Sequence, residues 1–271
     1  MEESHPQDVP AVRIAFRVGY LGGGFFGSQV QAEDRTVEGE FIAACIRTEL
    51  FSDPREARFL AAGRTDRGVH ARSQVFSFST RNPDRACSVL DWQLPPDIWI
   101  GGYARVDPAF HPRFDALTRT YRYYFREPHL DMDAMNQAAR IFEGVHDFSP
   151  YARTSGKDPV RNVISAKVFY EEGFTVLEVC AESFLWHMVR FMASALCRVG
   201  SGQAPPESIG DRLSDTHCPA LSPAPPEGLI LWDIEYGFPF NPLARGRRSG
   251  MHLESERQHH RLMWRICEVL R

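Results

Sequence analysis

Ala62-Gly-Arg-Thr-Asp-Arg-Gly-Val-His-Ala71 lies between two stretches with strand character, and two glycines bracket its four polar residues. Glycine accepts backbone angles that other residues avoid. A connection framed this way holds its backbone tightly while Arg64, Thr65, Asp66 and Arg67 project from it. A turn containing Asp and Gly is, on local grounds, usually only a turn. The crowding of Arg64, Thr65, Asp66, Arg67 and His70 argues for more. Adjacent positive charge favours an ionised carboxylate, and such a group in a cleft can act as nucleophile or general base.

Outward from the loop, Ala57–Ala62 and Gln74–Thr80 read as strands. Val12–Tyr20 alternates as a half-buried strand would, and Gly22, Gly23, Gly24 and Gly27 mark a loop. Thr36 is placed to cap a helix whose apolar stripe is Phe41, Ile42, Cys45, Ile46 and Leu50. A helix near Arg85–Trp92 and a strand at Ile98–Val106 complete the series. The order is strand, helix, two strands, helix, strand, the ferredoxin-like split βαβ pattern.

The second half follows the same order. Arg119–Arg126 is strand-like, Met132–Phe142 a helix, and Val160–Tyr170 with Phe174–Ala181 a hairpin turning at Glu171-Glu172-Gly173. Phe184–Val199 is an amphipathic helix stopped by Gly200, Pro219–Pro226 a loop and Leu229–Tyr236 a last strand. No sequence repeat is visible. The expected architecture is α+β: two ferredoxin-like halves with antiparallel sheets and a cleft between them. The boundaries expected are a polar tail over 1–10, a first half over 11–106 that carries the Asp66 loop, a second half over 107–237 and an extension over 238–271. Glu254–Leu270 suits a peripheral helix.

The bulk properties narrow the classes. Apolar residues make up 43% of the 271 and charged residues 24%, as in ordinary globular proteins. No apolar run approaches the ~20 residues of a membrane span. The acidic, polar N-terminus is not that of a signal peptide, so no membrane association and a cytoplasmic location are expected. Cys45, Cys87, Cys180, Cys197, Cys218 and Cys267 are scattered with no C-x-x-C pair, which argues against a disulfide framework and a zinc knuckle. His252, His259 and His260 read as exposed tail histidines rather than metal ligands, and no metal site is expected. The net charge of −4 does not announce a nucleic-acid binder. Its distribution is more telling, because Arg113, Arg119, Arg122 and Arg126 stand close together in mid-chain.

Gly63–Ala71 resembles the signature of the TruA family of tRNA pseudouridine synthases. Further blocks follow in that family's order over roughly residues 12–237. These are Tyr20 with Phe26–Gln31, Thr36–Glu40, Phe110–Asp115 followed by Arg119–Tyr124, Phe184–Arg190, and Glu227–Leu229. Leu21 and Ser28 depart from it, standing where the family usually has aspartate and tryptophan, and the tail after Phe238 matches no block.

The resemblance implies the pseudouridine synthase fold with an RNA-binding catalytic cleft. It assigns the nucleophile or base role to Asp66, base stacking to Tyr121 and the counter-charge of the carboxylate to Arg190. Arg190 also stands on the apolar side of a helix beside Met188 and Val189, where an unpaired charge is costly. Arg64 is implied to hold the flipped nucleotide, and Leu185 either lines the base pocket or belongs to the core. Arg113, Arg119 and Arg122, with Arg126, are candidates for phosphate contacts, although a strand sends alternate side chains to opposite faces. The implied substrate is tRNA at positions 38, 39 and 40 of the anticodon stem-loop, with the enzyme a homodimer. The isomerisation is redox-neutral, so no cofactor is expected. His70 is read as structural. Two other classes stand beside this one. An RNA-binding protein without the chemistry would have an altered Asp66, Tyr121 or Arg190. A small-molecule hydrolase would need a second acid or a metal site.

Overall fold

Thr36 has extended backbone angles and its hydroxyl accepts the N–H of Gly39 at 3.2 Å, so the capped helix begins where the sequence places it. In the computed structural model, which describes residues 10–156, 158–215 and 221–271, the order begins β1 (Val12–Tyr20), α1 (Val37–Arg47), β2 (Leu60–Ala61), β3 (His70–Thr80), α2 (Pro83–Gln93) and β4 (Ile98–Arg105). It continues with β5 (Thr118–Tyr124), α3 (Met132–Arg140), β6 (Gly144–Asp147), β7 (Val160–Glu171), β8 (Phe174–Ala181), α4 (Met188–Gly200), α5 (Ser208–Ser214), β9 (Leu229–Glu235), β10 (Asn241–Pro242) and α6 (Arg247–Leu270). Lys157, Cys218, Pro219 and nearly all of the expected tail over 1–10 lie outside the described residues.

The chain divides into two compact units. One comprises Met1–Arg64, Ser73–Asp115 and Phe238–Arg271, the other Thr65–Arg72 and Ala116–Gly237. In the first unit the strands lie in the order β4-β1-β3-β2, with β10 added beside β4. This is the 4-1-3-2 order of a split βαβ sheet. Strands β1 and β4 are antiparallel, from Ile14 opposite Arg105 to Tyr20 opposite Ile98. Phe16, Phe41, Phe76 and Phe78 are fully buried and their rings pack on one another. Each contributes on the order of 2 kcal/mol through burial. β1 is more buried than its alternation suggests, with seven of nine residues inside. Among them is Arg13, whose guanidinium donates to the carbonyls of Phe110 and Arg58 and to Ser77 Oγ. Burial, with Arg58 adding to it, lowers its pKa to about 10.

The second unit has the strand order β9-β5-β8-β7-β6, again 4-1-3-2 with an added edge strand. All these pairings are antiparallel. Its core joins Met135, Ala138 and Phe142 on and after α3 to Met192 and Leu196 of α4 and to Leu177 and Val179 of β8. The β7–β8 hairpin turns at Glu172 and Gly173, with φ of 47° and 97°, the positive angles that a tight two-residue turn demands. The first two residues of β3, His70 and Ala71, belong here and pair in parallel with Ile230 and Leu231 of β9.

Three local expectations change. Only Leu60–Ala61 of the strand expected at Ala57–Ala62 is extended, because Asp53 Oδ1 caps the N–H of Arg55 at 2.6 Å and coils the chain into a turn. β3 starts at His70 rather than Gln74. The helix expected from Phe184 starts at Met188. There the backbone of Trp186 bridges to Arg153, whose N–H donates to the Trp186 carbonyl at 3.0 Å, and His187 takes a left-handed φ of 63°. A pairing partner more than thirty residues away is invisible to helical periodicity.

Candidate active site

The site is built within the second unit, beginning with the loop that carries Asp66. Val69 is 2% exposed in the core and its N–H donates to the Asp66 carbonyl at 3.1 Å, closing a tight turn. Gly68 stands in that turn at φ 83°, and a Cβ there would meet Pro226 Cγ at 3.1 Å. Backbone angle and close approach therefore both require glycine. With Val69 buried and His70–Ala71 paired to β9, the loop has little freedom.

Three side chains, two from just before α4 and one from its first turn, converge on the Asp66 carboxylate. Arg190 Nη1 donates to Oδ2 at 2.9 Å, His187 Nε2 lies 3.1 Å from Oδ2, and Trp186 Nε1 donates to Oδ1 at 2.9 Å. The Asp66 side chain stays 24% exposed, while those of Arg190 and His187 are 12% and 11% exposed. Arg190 is itself locked, since Nε donates to the Ala224 carbonyl at 2.7 Å and the Ala224 N–H returns to the Arg190 carbonyl at 2.9 Å. Burial lowers the pKa of His187, Asp66 opposes this, and Arg190 and Arg153 add to it. The imidazole is neutral near pH 7.

Tyr121, on β5, is partly buried and packs edge-on against Phe184 with ring centroids 5.1 Å apart. Its hydroxyl is pushed up to about 12, chiefly by burial, with Arg119 opposing and the negative charge of Asp66 contributing. The phenol keeps its proton at any physiological pH. Leu185 is 6% exposed and belongs to the core cluster.

The arginines separate. Arg119 lies near Tyr121 and donates to the carbonyls of Ala116 and Glu182. Arg122 points to the other side of β5, where Nε meets Glu178 at 2.7 Å, Nη1 meets Glu171 at 3.2 Å, and the guanidinium lies 3.7 Å over the Trp232 ring. Its charge is already neutralised within the protein. Arg126 pairs with Glu227. Arg64 and Arg113 are exposed and belong to the first unit. Leu21 and Ser28 also belong there. The Leu21 N–H donates to the Asp97 carbonyl at 3.0 Å, and Ser28 is fully buried with its carbonyl on the Glu38 N–H.

Trp186 and His187 are the residues that sequence reasoning missed. Both stand inside the Phe184–Arg190 block, which the sequence places in a helix that in fact starts at Met188. The signal available was their position within four residues of Arg190.

A carboxylate held by two N–H donors, with an imidazole 3.1 Å away and a protonated phenol near it, defines a site for attack on an electrophile or for proton transfer. Residues 138–237 match the tRNA pseudouridine synthase family. The chain is 51% identical to the tRNA pseudouridine synthase A of Methanoculleus marisnigri, over 96% of each chain. It is 50% identical to that of Methanosphaerula palustris, over 96% of this chain and 92% of the relative. Among solved structures, a chain from the crystal structure of a Cbf5-Nop10-Gar1 complex aligns with a TM-score of 0.35 and 13% identity, over 72% of this chain and 56% of that one. The protein belongs to the TruA family of tRNA pseudouridine synthases, a class of isomerases.

Proposed function

We propose that this chain isomerises uridine to pseudouridine in the anticodon stem-loop of tRNA, at positions 38, 39 and 40, with Asp66 as the attacking carboxylate. In this reaction the N1–C1′ bond of uridine breaks and a C5–C1′ bond forms, while the proton on C5 is lost and N1 gains one. Atoms balance without an external oxidant or reductant. The observation that carries the reading is the Asp66 carboxylate, partly open and pinned through both oxygens by Arg190, His187 and Trp186. A nucleophile pre-set in this way does not reorganise when the substrate arrives.

Tyr121 supplies an aromatic wall on which a flipped uracil stacks, worth about 1–3 kcal/mol per base, and Leu185 closes the apolar floor. Removing the base from its stack costs a few kcal/mol, which contacts in the pocket recover. Arg64, Arg113 and Arg119 are the proposed contacts to the nucleotide and its phosphates. The enzyme acts as a homodimer in the cytoplasm. Pseudouridine mapping on tRNA incubated with wild type and with Asp66→Asn tests the assignment. The expected result is modification at positions 38–40 by wild type and none by the variant. Equal modification by both removes Asp66 from the chemistry, and modification elsewhere reassigns the substrate site.

A further inference from the structure

A carboxylate offers about four lone-pair directions, two on each oxygen. At Asp66 the two on Oδ2 face Arg190 Nη1 at 2.9 Å and His187 Nε2 at 3.1 Å. Oδ1 receives one donor, Trp186 Nε1 at 2.9 Å. His187 Nδ1 is buried with no hydrogen-bond partner among the described residues, so the single proton of a neutral imidazole belongs on Nε2, where it faces Oδ2. Oδ2 is then saturated. The free lone pair is on Oδ1.

The residue that orients Oδ1 is unusual for a hydrogen-bond donor to a carboxylate. The Trp186 side chain is large and apolar, yet 51% of the residue is exposed. It is also immobilised from several directions. Its N–H is held by Asp66, its carbonyl by the Arg153 N–H, and its ring lies 5.2 Å from the Arg153 guanidinium and 4.6 Å from the His187 ring. Leaving a fixed indole face in water costs hydrophobic free energy that burial would recover. A flat aromatic surface beside a carboxylate, flanked by an arginine, has the chemistry that accepts a nucleobase.

We infer that Trp186 is a positioning residue that leaves Oδ1 as the reacting oxygen of Asp66, and that its exposed ring face stacks on a base of the bound RNA. This rests on the reading of Asp66 as the attacking group. Trp186→Phe keeps an aromatic face and removes the donor, whereas Trp186→Ala removes both. For Trp186→Phe, kcat falls about tenfold or more, the size expected for a lost hydrogen bond to a charged group, and KM stays within about twofold. For Trp186→Ala, kcat falls equally and KM rises a further tenfold or so, from the lost stack. The benzothienyl analogue of tryptophan at position 186 keeps the ring shape and replaces the N–H with sulfur, so it reproduces the kcat loss without a packing change. A wild-type kcat in the analogue overturns the positioning role. A KM in Trp186→Ala equal to that in Trp186→Phe overturns the stack. A readout independent of turnover is the 15N resonance of the Trp186 indole N–H, which shifts in Asp66→Ala if the hydrogen bond exists. A shifted resonance in a protein whose Asp66→Asn variant still modifies tRNA refutes the catalytic reading while keeping the contact. An unshifted resonance refutes the contact.

Discussion

Arg190 and Asp66, 124 residues apart in the chain, meet through a 2.9 Å hydrogen bond between Nη1 and Oδ2. The same guanidinium donates through Nε to the Ala224 carbonyl, so one side chain ties the Asp66 loop, helix α4 and the approach to β9 together. The contact is part structure and part chemistry, because it sets the carboxylate's position and also supplies its counter-charge.

Removing the guanidinium leaves a poorly solvated carboxylate and an unsatisfied carbonyl. Arg190→Ala is expected to lose roughly 3 kcal/mol of unfolding free energy, read from urea denaturation. Arg190→Lys keeps the charge but lacks the fork that reaches both acceptors, so it recovers only part of the loss. In combination with Asp66→Asn the two losses add to less than their sum.

Gly68 carries the turn that presents Asp66. Gly68→Ala places a Cβ 3.1 Å from Pro226 Cγ at φ 83°. The expected cost is about 1–3 kcal/mol, with a fall in kcat larger than any change in KM. Thermal denaturation alongside steady-state kinetics checks both.

Arg122 is engaged by Glu171 and Glu178 and covered on one side by Trp232. Each phosphate contact adds about 0.7–0.9 to the salt slope of binding. Arg122→Ala is therefore expected to leave that slope unchanged while costing about 1–2 kcal/mol of stability. Filter binding across a salt series, with a urea melt, separates the two. A shallower slope would place Arg122 on the RNA.

His187 and His70 both have pKa values held below 6.5, in each case chiefly by burial. Near and below pH 6.5 the unfolded chain binds protons that the folded chain refuses, so stability falls as pH drops through that window and is fully present above it. His187→Gln, which keeps an N–H donor for Asp66, should flatten the fall measured by urea midpoints between pH 7.5 and 5.5. An unchanged profile would assign the dependence elsewhere.

Residues 257–270 of α6 are exposed along their whole length, including Leu262, Trp264, Ile266 and Leu270. Truncation after Glu256 is expected to change the unfolding free energy by no more than about 0.5 kcal/mol. Chemical denaturation of the shortened chain measures it.

Much of this protein is legible in short stretches of sequence. Thr36 capping α1, the Glu172-Gly173 turn, the principal strands and helices of both units (β6, α5 and β10 excepted), and the glycine-framed loop around Asp66 all rest on interactions spanning a dozen residues or fewer. Helical and strand periodicity, caps and turn angles encode those directly. Arg190 was visible as a charge on an apolar helix face, which demands a partner without naming one.

Tertiary structure alone decided the rest. Trp186 meets Asp66 from just ahead of α4, where its carbonyl takes the Arg153 N–H, and no local signal in Phe184–Arg190 marks that later helix start. Whether Arg122 is neutralised or open depends on Glu171 and Glu178, about fifty residues further on and brought beside it by β7 and β8. The donor geometry that singles out Oδ1 joins residues 120 and 124 positions apart. Local sequence supplies the groups and their spacing along one element. Which groups meet is settled by closure of long loops and burial of distant surfaces, and those terms belong to the whole chain.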